Sequence, residues 1–163
     1  MTTVEFLGEE LRKAYSDHPW HGASLADLLR DLTAEEAAVR PVSHAHSVWE
    51  IVLHMAAWNG EVRRRLEGSV PAMPSEGDWP GVGEPSEAAW QRARERLAAS
   101  VASLRETLAG MTEEQLDRRG GSLQDAELGT GGTLRGMVNG VVQHLAYHGG
   151  QIGLLRKALR PGP

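Results

Sequence analysis

The chain contains no cysteine, so it can form no disulfide, present no thiolate nucleophile and build no sulfur-ligated metal site. Any metal it holds must take nitrogen or oxygen donors. It also lacks an excess of positive charge. Its 17 Lys and Arg stand against 22 Asp and Glu, a balance that offers no field to a polyanion, so nucleic acid is not expected as a partner. The basic triplet Arg63-Arg64-Arg65 falls late in a helical pattern, where cations suit the macrodipole, and reads as a solvated face. No stretch approaches the ~20 apolar residues that a spanning helix needs, and Met1-Thr2-Thr3-Val4-Glu5-Phe6 lacks a basic region followed by an apolar run. No membrane partner and a cytoplasmic location are therefore expected. Strand-like alternation is missing as well, which leaves the helical period as the dominant signal.

What is present is an all-α pattern. A chain of about 150 residues buries roughly 70% of its unfolded surface, so residues 1–163 suit a single domain with one core. Helix one is expected from about Thr3 to Ser16, with Val4, Leu7, Leu11 and Tyr15 on one face and a capping box in Thr2 and Glu5. Helix two follows Ser47, has Glu50 at the third helical position, buries Ile51, Met55, Trp58, Val62 and Leu66, and ends at Gly68. Helix three begins near Pro85 and carries Trp90, Ala93, Leu97, Val101, Leu104 and Leu108 before Gly110 stops it. Helix four follows Thr133 with Leu134, Val138, Val141, Leu145, His148, Ile152, Leu155 and Leu159, so that His148 occupies a core slot.

Short helical pieces are announced between helices one and two by Ser24-Leu25-Ala26-Asp27 and Thr33-Ala34-Glu35-Glu36, and should lid one end of a bundle. The connection from Ser69 to Glu84 holds Pro71, Pro74 and Pro80. Extended, it reaches about 50 Å, against about 30 Å for a 20-residue helix, so a long crossover that sets helix three parallel to helix two is permitted. Helix four contains Gly136, Gly140, Gly149, Gly150 and Gly153, each costing roughly 1 kcal/mol relative to alanine. Close approach of another helix backbone is the first explanation for them, and room for a ligand is the second.

His144 and His148 stand four residues apart, so their rings leave one helix face about 6 Å apart along the axis. His54 sits at the edge of the buried stripe of helix two, and all three can meet at one depth. Imidazole suits zinc, nickel, cobalt, iron or copper, and three nitrogen donors leave a position for water or substrate. No carboxylate is obviously poised as a fourth ligand. The pair alone is also read as two neutral core histidines bonded to carbonyls.

Around these residues, Gln151 shares the face of His144 and His148 and is a pocket candidate, for a bond to water, to substrate or to backbone. Glu50 lies on the broad side of His54 and is a candidate general base, although its capping position favours the cap. His21 is the best outsider among the remaining histidines, with His18, His44 and His46 expected to be exposed or locally bonded. Trp79, in the proline-rich Asp78-Trp79-Pro80 loop, is a candidate clamp over a pocket mouth. Tyr147 points about 100° from His148 and is expected to pack between helices.

The segment Ser47-Val48-Trp49-Glu50-Ile51-Val52-Leu53-His54-Met55-Ala56-Ala57-Trp58, followed far downstream by His144-Leu145-Ala146-Tyr147-His148-Gly149-Gly150-Gln151-Ile152, resembles the DinB/YfiT-like family of metal-binding four-helix bundles. Trp20-His21-Gly22 and Asp78-Trp79-Pro80 extend the similarity over nearly the whole chain. The resemblance implies an up-down-down-up bundle with a zinc or nickel ion held by three histidines, here His54, His144 and His148. Similar proteins are described as metal-dependent hydrolases or use a low-molecular-weight thiol such as mycothiol or bacillithiol. A homodimer is common among them, and the Gly136/Gly140 and Gly149/Gly153 pairs would permit close helix contact.

Three functions follow as expectations. In a metal-dependent hydrolase the ion lowers the pKa of water toward ~7 for attack on an ester, amide or lactam of a small-molecule substrate. In a thiol-dependent S-transferase the ion activates an external thiol, since the chain has none of its own. In a non-catalytic metal or small-molecule binding bundle the ion serves stability.

Overall fold

The computed structural model describes residues 1–121, 125 and 128–160. These form seven helices and no strand beyond an isolated bridge between Arg119 and Thr133. Four helices are long: α1 (Thr3–Ser16), α4 (Val48–Leu66), α5 (Glu87–Ala109) and α7 (Leu134–Leu159). They are the four expected from the apolar period, and each begins where a side-chain cap satisfies its first free N–H groups. Thr2 and Ser47 form complete capping boxes with Glu5 and Glu50, while Ser86 and Thr133 cap α5 and α7.

Side-chain pairings set the directions of the helices. Trp49 meets Trp90, Asn59 donates to Ser100, and Thr107 donates to Glu67, so α4 and α5 run side by side in the same sense. Arg65 near the end of α4 reaches Met137 near the start of α7, whereas His54 meets His144 and His148, so this pair is antiparallel. α1 opposes α5, because Arg105 late in α5 donates to the Gly8 carbonyl early in α1. Arg135 at the start of α7 donates to Thr3 at the start of α1, which aligns these two. α4 packs on α5 and α7, and α1 packs on the same two from the other side.

The short helices close the ends. α2 (Leu25–Leu29) and α3 (Ala34–Ala38) cover one end of the bundle, tied down by Trp90 Nε1 donating to the Leu32 carbonyl and by Ala34 N donating to Glu87. α6 (Glu113–Leu116), which the period did not announce, closes the other end, where Glu113 accepts from the first N–H groups of α1.

α4 is the most enclosed helix, and its sequence explains why. From Val48 to Ala57 it is apolar on nearly every side, and such a helix must be surrounded. Burial extends to the polar residues further along. Arg65, expected on a solvated face, is buried beside Glu61, with Nε 3.0 Å from Glu61 Oε1. Its Nη atoms donate to the carbonyls of Leu128 and Ala72 at 2.6 and 3.1 Å, while Ala72 N donates to Glu61 at 2.8 Å. The charge is tolerated inside because each of the three guanidinium nitrogens finds an acceptor, and the arrangement pins the start of the crossover. Because α4 and α5 point the same way, the crossover must climb the full length of α4. That path carries Asp78 and Trp79 past His54.

Candidate metal centre

His54 on α4 and His144 and His148 on α7 turn their rings toward one point. His144 Nε2 lies 2.9 Å from the Nε2 atoms of both His54 and His148. His54 and His148 are buried and His144 is half-buried. On His54 and His148 the other ring nitrogen is occupied. His54 Nδ1 is 2.7 Å from the Asp78 carbonyl oxygen and 3.2 Å from its carboxylate, and His148 Nδ1 is 2.6 Å from Gln151 Oε1. Oxygen acceptors at both Nδ1 atoms place the protons there, which leaves the Nε2 atoms of His54 and His148 as lone pairs.

Two lone pairs therefore face a third imidazole whose Nε2 offers at most one proton. Tetrahedral zinc with Zn–N of about 2.05 Å would set its nitrogens roughly 3.3 Å apart; the two 2.9 Å separations would open slightly, and the three ligand atoms already lie within 4.8 Å of one another. The donor set and its outer hydrogen bonds fit a divalent metal cation. Protonation does not compete near neutrality. Burial, reinforced by the neighbouring imidazoles, pushes His144 down to about 3. Burial likewise takes His148 to about 4 against the opposing effect of Gln151, and lowers His54.

Trp79 lies directly on the cluster. Its ring stacks on His54 at 4.0 Å and on His46 at 3.5 Å, nearly parallel to both. The crossover thus brings in a cover for one face of His54, and Trp58 Nε1 holds Asp78 by donating to its carboxylate at 2.6 Å. The trio is open on two sides. One cavity of about 660 Å³ adjoins His54, His144 and Asp78, and another of about 540 Å³ adjoins His54, His148, Gln151 and Trp79.

The model of the DinB superfamily matches residues 19–152 of the chain. The chain belongs to the DinB superfamily. No curated protein and no solved structure matches it. The DinB match spans the stretch that supplies His54, His144 and His148, together with the crossover residues that flank them.

Several expectations about this DinB chain's pocket change. Gln151 accepts through Oε1 from His148 Nδ1. Glu50 closes the capping box of α4, the role its position favoured. Although burial raises its pKa, the Arg40 guanidinium and the Ser47 N–H outweigh that and hold it at about 2. His21 is exposed and lines a separate cavity with Leu28, Gly149 and Arg156. Tyr147, expected between helices, is 64% exposed and touches His148 edge-on. Of the glycines, Gly149 and Gly153 face Leu28 of α2, whereas Gly136 and Gly140 line the larger cavity. His46, expected to be exposed or locally bonded, stacks on Trp79, and Asp78 bonds His54. Their one signal was adjacency to residues already singled out, Ser47 and Trp79, and their roles depend on the crossover's path.

Proposed function

We propose that the protein is a divalent-metal-dependent hydrolase of a small molecule, with His54, His144 and His148 as the metal ligands. The observation that carries this reading is the pair of outer bonds at Nδ1, from His54 to Asp78 and from His148 to Gln151, which leaves lone pairs converging beside open cavities. A zinc-type cation there would supply Lewis acidity, bringing the pKa of water from about 15.7 to about 7 and polarising a substrate carbonyl. Three neutral imidazoles leave the cation's charge undiminished. Among the described residues lining the larger cavity Asp78 is the one that is acidic, and its carboxylate would take up the proton released in the attack. Trp58, Val62 and Val141 give the larger cavity an apolar wall beside the imidazoles.

A second reading, S-transfer from an external low-molecular-weight thiol, is favoured by the second cavity on the far side of His54, which leaves room for two reactants. Zinc-loaded and nickel-loaded protein assayed on ester, amide and lactam panels, and separately with thiol plus electrophile, tests both. Turnover without thiol supports hydrolysis, and a strict thiol requirement supports transfer. No turnover in either assay overturns both and leaves a binding bundle. His144→Ala should lose bound metal and turnover together.

A further inference from the structure

We propose that the larger cavity receives an uncharged, apolar chain of a ligand whose polar head reaches the three imidazoles. The head rests on the metal reading given above, and the chain rests on the shape and charge of α7 and its neighbours. Positions 136, 140, 144 and 148 follow at four-residue intervals and therefore stack along one face of α7, reading Gly, Gly, His, His. The two glycines continue the ligand ridge as a trough leading away from His144.

Glycine is among the least favourable residues in a helix interior, so its presence at two successive turns calls for a reason. Backbone packing does not supply it at Gly140, where a methyl group would meet nothing within 4 Å. Both glycines instead border the cavity of about 660 Å³, whose walls include Trp58, Val62, Met137 and Val141. The space they leave is continuous with the faces of His54 and His144.

Charge narrows the occupant. Arg65 borders the cavity, yet its guanidinium is committed to Glu61 and to the carbonyls of Leu128 and Ala72. Asp78 is held by Trp58 and stands beside His54. Among the described lining residues no cation is left to receive an anionic chain end, and burying such a group uncompensated is costly. An aliphatic or aryl chain without charge is the occupant that these walls match.

The test uses the zinc-loaded full chain and isothermal titration calorimetry with hydroxamates of two, four, six and eight carbons, which share one metal-binding head. Each buried methylene is worth roughly fourfold in affinity, so octanohydroxamate should bind at least about a hundredfold more tightly than acetohydroxamate. An eight-carbon chain ending in a carboxylate should lose most of that gain, and Gly140→Leu should shrink the ratio of long to short chain toward one. The length series in the unmodified protein decides the matter even if Gly140→Leu does not fold. Acetohydroxamate binding with no gain for longer chains, or with equal gain for the carboxylate-ended chain, overturns the proposal and leaves the metal reading standing. Absence of any zinc or acetohydroxamate binding overturns both.

Discussion

Replacing Gln151 by leucine removes the oxygen that holds His148 Nδ1 at 2.6 Å while keeping the side chain's size. His148 is buried, 4% exposed, and the proton on Nδ1 then faces an apolar group. The ring either keeps that proton unpaired, at about 1–3 kcal/mol, or moves it to Nε2 and loses the lone pair aimed at the metal. Both routes weaken metal binding, and loss of such an outer partner typically costs 10–100-fold, or about 1.4–2.7 kcal/mol. Because metal bound only to the folded state adds RT ln(1 + [L]/Kd), the same amount disappears from the stability at fixed excess zinc. For a chain of this size that lowers the zinc-loaded midpoint of thermal unfolding by roughly 3–10 °C. Competition against a chromophoric zinc chelator at pH 7.5 measures the affinity directly. Gln151→Glu retains the acceptor and should bind zinc at least as tightly as the unmodified protein. An unaltered Kd in Gln151→Leu would refute the assignment of His148 as a ligand oriented through Nδ1.

Other perturbations test separate parts of the structure. Arg65→Met takes from the buried Glu61 carboxylate one of its two guanidinium partners, leaving Arg64 and the Ala72 N–H, and should cost about 1.5–3 kcal/mol in urea unfolding; a loss below about 0.5 kcal/mol would show that the pair is not enclosed. Gly140→Ala gains helix propensity without a clash and should stabilise the metal-free protein by about 1 kcal/mol, whereas destabilisation would mean that the space is filled by protein. Metal-free stability should depend on pH through His144 and His148, held at about 3 and about 4 in the folded state against about 6.5 unfolded. The unfolded chain then binds more protons below pH 6.5, so stability is complete above that value and declines as pH falls through about 4 and 3. Glu36 and Glu50, both held at about 2, add their own loss only below about pH 4.5, so a decline that begins no higher than that would contradict the histidine assignment. Urea midpoints taken between pH 3.5 and 8 measure it.

The legibility of this chain divides by range. The long helices, the caps at Thr2, Ser47 and Thr133 and the lid helices were readable because a helix is closed within a few residues: Ser47 and Glu50 satisfy one another's backbone across three positions, and α7 repeats its apolar residues every turn, whereas Pro85, expected in the first turn of helix three, precedes the Ser86 cap of α5. The pair His144 and His148 was readable for the same reason, since one helix carries both. Arg65 was misread because the triplet around it, Arg63 and Arg64 included, follows the rule for exposed cations, while its acceptors come from Ala72 and Leu128 on other segments. Tyr147 was misread because the angle around a helix does not say whether a neighbouring helix stands there.

By itself the sequence determined the all-α class, the start of each long helix and the three nitrogen donors with their family, all carried by local spacing and residue chemistry. Only the tertiary structure decided that Asp78 and Gln151 lock the rings of His54 and His148, that Trp79 lies between His46 and His54, and that Gly136 and Gly140 face a cavity. Most of those arrangements follow from the parallel course of α4 and α5, which forces the crossover along α4 and past the site. Helix direction and crossover path are set by packing between segments far apart in the chain, and residue spacing within a segment does not encode them.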